Sequence, residues 1–94
     1  MKKYTEILIN KRIFTYHTEE DVAVGMEVLV PFRNKRASGY IVGIVDEPEF
    51  VTKPIVHVVR YKPQFTEDLA KIADYIADYY KCFRSKAYEL ILPK

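Results

Sequence analysis

The stretch GMEVLVPFRNKRASGYIVGIV, residues 25–45, decides the fold. Gly25 sets up a turn into Glu27-Val28-Leu29-Val30-Pro31-Phe32, where Val28, Val30 and Phe32 alternate onto one face, the period of a half-buried strand. Pro31 has no N–H for a ladder, which places it at the strand's end or on an edge. The apolar run Gly39-Tyr40-Ile41-Val42-Gly43-Ile44-Val45 stops at Asp46-Glu47-Pro48 and predicts a strand buried on both faces or nearly so. Between the two lies a basic turn, Arg33-Asn34-Lys35-Arg36. The stretch therefore describes two apolar strands joined by a tip rich in cations.

Working outward, residues 4–9 are β-rich with Ile7 and Ile9 on one face, and residues 12–16 follow after the polar break Asn10-Lys11. Two short strands with a tight connection are expected. Residues 17–24 are acidic and irregular. After Lys53-Pro54, the β-branched run of residues 55–60 predicts a further short strand. The period then changes. Leu69, Ile72, Ala73, Ile76, Ala77 and Tyr80 recur at helical spacing, and Lys71, Asp74, Asp78 and Lys81 fall mostly on the other side. With Thr66 as N-cap and Glu67 and Asp68 at the positive end of the dipole, a helix over residues 66–81 is predicted. Residues 85–92 form a short helix capped by Ser85, with Ala87, Leu90 and Ile91 on one side, or a strand. Strands first and helices last give an α+β domain: a small antiparallel β-sheet or partial barrel from the N-terminal two-thirds, covered by one long and one short C-terminal helix.

A chain of 94 residues accommodates one domain with a thin core, so residues 1–94 are read as a single unit. Eight Tyr and five Phe without Trp is the unusual feature of the composition, and such a surplus serves a core edge or a base-stacking surface equally well. A net charge of +2 does not by itself mark a nucleic-acid binder; the distribution says more. Lys2, Lys3, Lys11 and Arg12 face only Glu6 in residues 1–18, Arg33, Lys35 and Arg36 face no acid in residues 28–45, and acids gather in Glu19-Glu20-Asp21, in residues 46–49 and on the helix. Segregation of this kind leaves a basic face on a nearly neutral protein, or is a solvated surface sorted by accident. A single cysteine, Cys82, excludes an intramolecular disulfide and fits a reducing compartment, and no segment has the apolar length to span a membrane. The expectation is a cytoplasmic protein with no membrane partner.

The search for catalytic chemistry is mostly negative. There is no phosphate loop ending in Lys-Ser/Thr, no His-Glu-x-x-His and no Cys-x-x-Cys. His17, His57 and Cys82 lie far apart without a local acid to orient either imidazole, and Asp74 and Asp78, one turn apart, read as a solvated face. No catalytic or metal site is expected. Cations on a short rigid hairpin are suited to phosphates, although a turn needs polar residues in any case. Phe14, Tyr16, Phe32 and Tyr40 lie near this basic region in sequence; they are core residues or, one or two of them, base-stacking ones.

Phe14-Thr15-Tyr16, residues 25–32, residues 39–43, Lys53-Pro54-Ile55 and Ala77-Asp78-Tyr79-Tyr80 occur in an order and spacing that resembles one family over residues 4–93. That family is the N-terminal 3′-end DNA-binding domain of PriA, the primosomal protein N′, a bacterial replication-restart helicase. Its pattern has a Phe-Asp-Tyr element, a Gly-x-x-Val-x-Val-Pro-Phe-Gly strand, a basic turn, a Gly-Ile-Val-Val strand, a Lys before another strand and a helix ending Ala-Asp-Tyr-Tyr.

The resemblance implies binding of the 3′ end of the nascent leading strand at stalled or branched forks, by a shallow pocket without strong base preference. Carried over by position, the pocket comprises Phe14, Thr15, Tyr16, Arg33 and Lys53, with Asn34, Lys35 and Arg36 of the turn meeting phosphates. Thr15 stands where the family commonly has Asp, and Arg33 where it commonly has Gly. The resemblance also implies an excised N-terminal fragment of an ATP-dependent 3′-5′ helicase. ATP and zinc would then be expected only in downstream domains, and the partners would be DNA with a 3′-OH end, forked or branched DNA, the remaining helicase domains, and primosome or single-strand-binding proteins. Without the family, the hairpin also suits a small RNA-binding or ribosome-associated β-domain, and Tyr75, Tyr79 and Tyr88 suit a protein-interaction patch.

Overall fold

The computed structural model describes residues 2–80 and 86–88. Strands β1 (Lys3–Ile9) and β2 (Arg12–Thr18) form a hairpin closed by Asn10-Lys11, with Ile9 opposite Arg12. Strands β3 (Glu27–Phe32) and β4 (Lys35–Val45) form a second, closed by Arg33-Asn34 alone. The basic turn is thus shorter than residues 33–36: Lys35 and Arg36 already belong to β4, paired with Phe32 and Pro31. The cause is local. Arg33 and Asn34 both have left-handed backbones (φ 49° and 63°), the geometry of a two-residue turn whose twist matches that of the flanking strands.

The remaining strands are β5 (Lys53–Pro54) and β6 (His57–Arg60), and the sheet order is β5-β2-β1-β4-β3-β6. The strand expected over residues 55–60 is therefore divided between the two edges of the sheet. Ile55 N donates to His17 O of β2 (2.9 Å) and Val56 N to Leu29 O of β3 (2.8 Å), so these two residues join one edge to the other. Only a strongly curled sheet permits this, and the strands form a half-barrel. All pairs are antiparallel except β2–β5, which makes the sheet mixed. Pro31 lies beyond the last β3 residue paired with β6, and because Leu29 turns its carbonyl to that edge, alternation turns the Pro31 nitrogen there too. No ladder hydrogen bond is lost.

Alternation along each strand separates two cores. Ile7, Ile9, Tyr16, Val28, Val30 and Ile41 fill the barrel, with Phe14 and Phe32 packed at its mouth. Leu8 and Val42 point outward, onto the helix. A bulge at Val42, skipped between the pairs Glu6–Gly43 and Ile7–Ile41, is the register shift that aims it there. Residues 39–42 of β4 are enclosed on both sides as expected, whereas Ile44 is 47% exposed.

Gly25 fixes the entrance to β3. Its φ is +98°, its N–H donates to Ile41 O (2.7 Å) and its C=O accepts from Gln64 N (2.8 Å), so the chain before the helix lies directly against it. A Cβ there would collide with the Phe65 carbonyl.

Helix α1 (Glu67–Tyr80) starts as predicted, with the Thr66 hydroxyl accepting from Leu69 N at 3.1 Å. Its buried stripe differs from the expected one. Ala70, Ala73 and Ala77 face the sheet with Ile76 beside them, while Leu69 is exposed and Ile72 is 50% exposed. Small side chains let the helix backbone approach closely enough for Tyr88 to seal the junction, its hydroxyl within hydrogen-bond reach of Val42 O (3.3 Å) and Ala70 O (3.4 Å). Tyr88 is 0% exposed, which removes it from any interaction patch; Tyr75 and Tyr79 do lie on the surface, stacked on each other at 6.0 Å. Residues 86–88 are helical and Ala87 is buried. Lys81, Cys82, the Ser85 cap, Leu90, Ile91 and the Tyr80 side chain lie outside the described residues.

Candidate nucleic-acid interface

Because β1 and β4 run antiparallel, the tip of the β1–β2 hairpin and the tip of the β3–β4 hairpin project from the same end of the half-barrel. That end carries Lys11, Arg12, Arg33, Lys35 and Arg36 and no carboxylate along either hairpin tip. At the opposite end β2 runs into Glu19-Glu20-Asp21 and β4 into Asp46-Glu47. Lys3 is also there, paired with Asp21 at 3.1 Å, and Tyr4 donates to Glu47 Oε1 at 2.8 Å. Charge is therefore segregated by strand direction, along the barrel. Lys2 and Lys3 belong to the acidic end, not to the basic one.

Beside the basic end an open cleft of about 460 Å³ lies between the outer edge of β2, the β3–β4 tip and residues 50–53. Phe14, Thr15, Tyr16, Arg33 and Lys53 all line it. They do so in different ways. Phe14 and Phe32 form its floor, half-buried and packed edge to face at 5.2 Å and 68°, and the Arg33 guanidinium lies over the Phe32 ring at 5.2 Å. Tyr16 is only 6% exposed, and its hydroxyl donates to Pro31 O at 2.8 Å across the barrel mouth. Its body is core. Burial also raises the phenol above its ordinary pKa of 10.0.

Thr15, between two inward-facing aromatics, turns its side chain to the other face of the sheet, opposite Glu6. Its backbone lies on the cleft's side. His17 O accepts from Ile55 N on that edge, and alternation presents the Thr15 peptide groups to the same edge, where Lys53 pairs with Tyr16. Lys53 is exposed, and its backbone is fixed by this short parallel pairing. At the turn, Lys35 sits opposite Phe32 and shares its face; Arg36, opposite Pro31, shares the other. Asn34 is exposed at the apex.

Residues 6–93 match the family model of the PriA 3′ DNA-binding domain (3′BD). The chain belongs to this family. No curated protein matches it. The 3′ DNA-binding domain of PriA is a DNA-binding and not a catalytic module, and DNA, including its 3′ ends, is what the family binds.

Among the residues that line the cleft, Arg33 carries a backbone cost. The position is left-handed, which is where glycine is cheapest, and an Arg there costs about 1–2 kcal/mol. Its guanidinium, however, returns to cover Phe32 and adds a cation to the cleft. The rim residues Phe50, Val51 and Thr52 were not singled out by the sequence, although an apolar Phe50-Val51 pair inside a polar connection is a signal of a kind. His17 has a defined task in holding this rim: its Nδ1 lies 2.6 Å from Thr52 Oγ1. His57 is exposed on β6. Among the described residues no group of His, Cys, Asp and Glu is placed to hold a metal ion, and no helix is long and apolar enough to cross a membrane.

Proposed function

We propose that this domain captures the 3′ end of the nascent leading strand at stalled or branched replication forks, and thereby orients an attached restart helicase for primosome assembly. The observation that carries the reading is the convergence of Phe14, Thr15, Tyr16, Arg33 and Lys53 on one cleft beside the basic end of the barrel. Phe14 and Phe32 supply an apolar wall for the terminal nucleotide, Lys53 a charge-assisted donor from the opposite rim, and Thr15 its backbone N–H, the half of that peptide edge not used in the pairing of β2 with β5. Lys35, Arg36 and Asn34 meet the phosphates leading to the end, a contribution independent of sequence. The helicase chemistry, with its ATP and zinc, belongs to further domains in this reading, and the other partners are those domains together with primosome or single-strand-binding proteins.

The test is a titration with 3′-tailed duplex DNA, blunt duplex DNA and the matching RNA strands. Tighter binding of 3′-tailed DNA is expected. A preference for RNA would favour an RNA-binding β-domain, and no binding to any of them would contradict the reading.

A further inference from the structure

We propose that Phe50 is the side chain that stacks on the terminal base, closing the cleft from the rim opposite Phe14 and Phe32. The inference rests on the cleft being the 3′-end site and adds the residue that holds the base. Among the described residues four side chains bring aromatic rings to this cleft, and three are engaged: Tyr16 is core with its hydroxyl bonded to Pro31 O, Phe14 packs its ring against Phe32, and Arg33 occupies a face of Phe32. Phe50 remains. It is 62% exposed, has no ring partner among the described residues, and is followed by Val51, which is exposed almost completely. Large apolar side chains held in water at the rim of a cleft are a marker of a ligand surface.

The loop is also held in place. His17 Nδ1 with Thr52 Oγ1 and the Tyr16–Lys53 pairing anchor the residues just after Phe50 to β2. The occupant follows from the lining. Among the described residues, Arg33 and Lys53 are the charged ones of the cleft and no carboxylate lines it, so its chemistry combines apolar rings with positive charge, as an unpaired nucleotide requires. A ring that offers only its π-face accepts any of the four bases.

A 3′-tailed DNA with 2-aminopurine as its last base reports stacking by fluorescence quenching. The parent protein should quench this probe and leave the emission of one with 2-aminopurine in mid-tail unchanged. Phe50→Leu should lose most of the quenching and weaken binding about 5- to 150-fold, the span that a stacked base contributes. Phe50→Trp should restore both, and neither variant should shift thermal unfolding, because the ring is exposed. If Phe50→Leu quenches and binds like the parent, while the parent prefers 3′-tailed to blunt DNA, the inference fails and the site stands. If the parent binds tailed and blunt DNA alike, the proposed site fails and the role of Phe50 with it.

Discussion

Arg33 shows how a single residue serves two requirements that conflict. Its left-handed backbone favours glycine, and its side chain covers an aromatic ring beside the cleft. Arg33→Gly should therefore fold at least as readily as the parent by thermal denaturation, yet bind single-stranded DNA with a log–log salt slope shallower by about 0.7, the loss of one phosphate contact. An unchanged slope would remove Arg33 from the interface. Lys53 is simpler, being exposed on a strand fixed through its backbone. Lys53→Ala should lose about 1–3 kcal/mol of binding, as for a charge-assisted hydrogen bond, with an unaltered unfolding midpoint. Tyr16 is the reverse case, a matter of stability. Its folded-state pKa is raised by burial, so its contribution is complete below pH 10 and declines as pH rises through the folded value. Tyr16→Phe should cost about 0.5–1.5 kcal/mol at neutral pH, for the lost bond to Pro31 O, and should reduce the alkaline loss of stability seen in urea denaturation.

At the scale of elements, the hairpins, the inward face of β3 and the start of α1 were legible because each is written in local pattern and turn chemistry. The rest depended on distant partners. Residues 55–60 read as one strand, but Ile55 and Val56 take their acceptors from β2 and β3, and no local pattern announces a chain stepping between two edges. The helix rotated for a related reason: periodicity weights Leu69 and Ile72, whereas close docking selects Ala70, Ala73 and Ala77. The cleft was legible only through the family's residues; its rim was marked in the sequence by nothing more than the apolar pair Phe50-Val51, which the fold places there. Gly25 ties three elements together, because β4, the turn into β3 and the chain before α1 meet on its backbone. Gly25→Ala should destabilise by about 2–3 kcal/mol, visible as a lower urea midpoint at unchanged slope. At the β3–β4 tip the strand register separates two cations that the sequence grouped. Lys35→Ala should weaken 3′-tailed DNA more than Arg36→Ala does, since Lys35 shares the face of Phe32; equal losses in the two titrations would mean that the tip acts only as a diffuse charge.

The whole molecule gathers the cations of its two hairpin tips at one end of a half-barrel and the acidic runs at residues 19–21 and 46–47 at the other, an arrangement imposed by strand direction and invisible in a net charge of +2. A phosphate backbone is attracted to one end and repelled by the other, so the domain meets DNA in a preferred orientation, with the cleft at the side of the basic end. In the proposed reading, local charge supplies affinity and the cleft supplies recognition of an end. The proposed function requires this cleft to hold a terminal nucleotide. It is tested most directly by titrating the domain with two otherwise identical 3′-tailed DNAs, one ending in a free 3′-hydroxyl and one in a 3′-phosphate, and by repeating the hydroxyl series with each terminal base. The phosphate is expected to weaken binding substantially more than any change of base, because a pocket reads the sugar end by fit and every base offers a stacking face. Equal affinity for the hydroxyl and phosphate ends would contradict it.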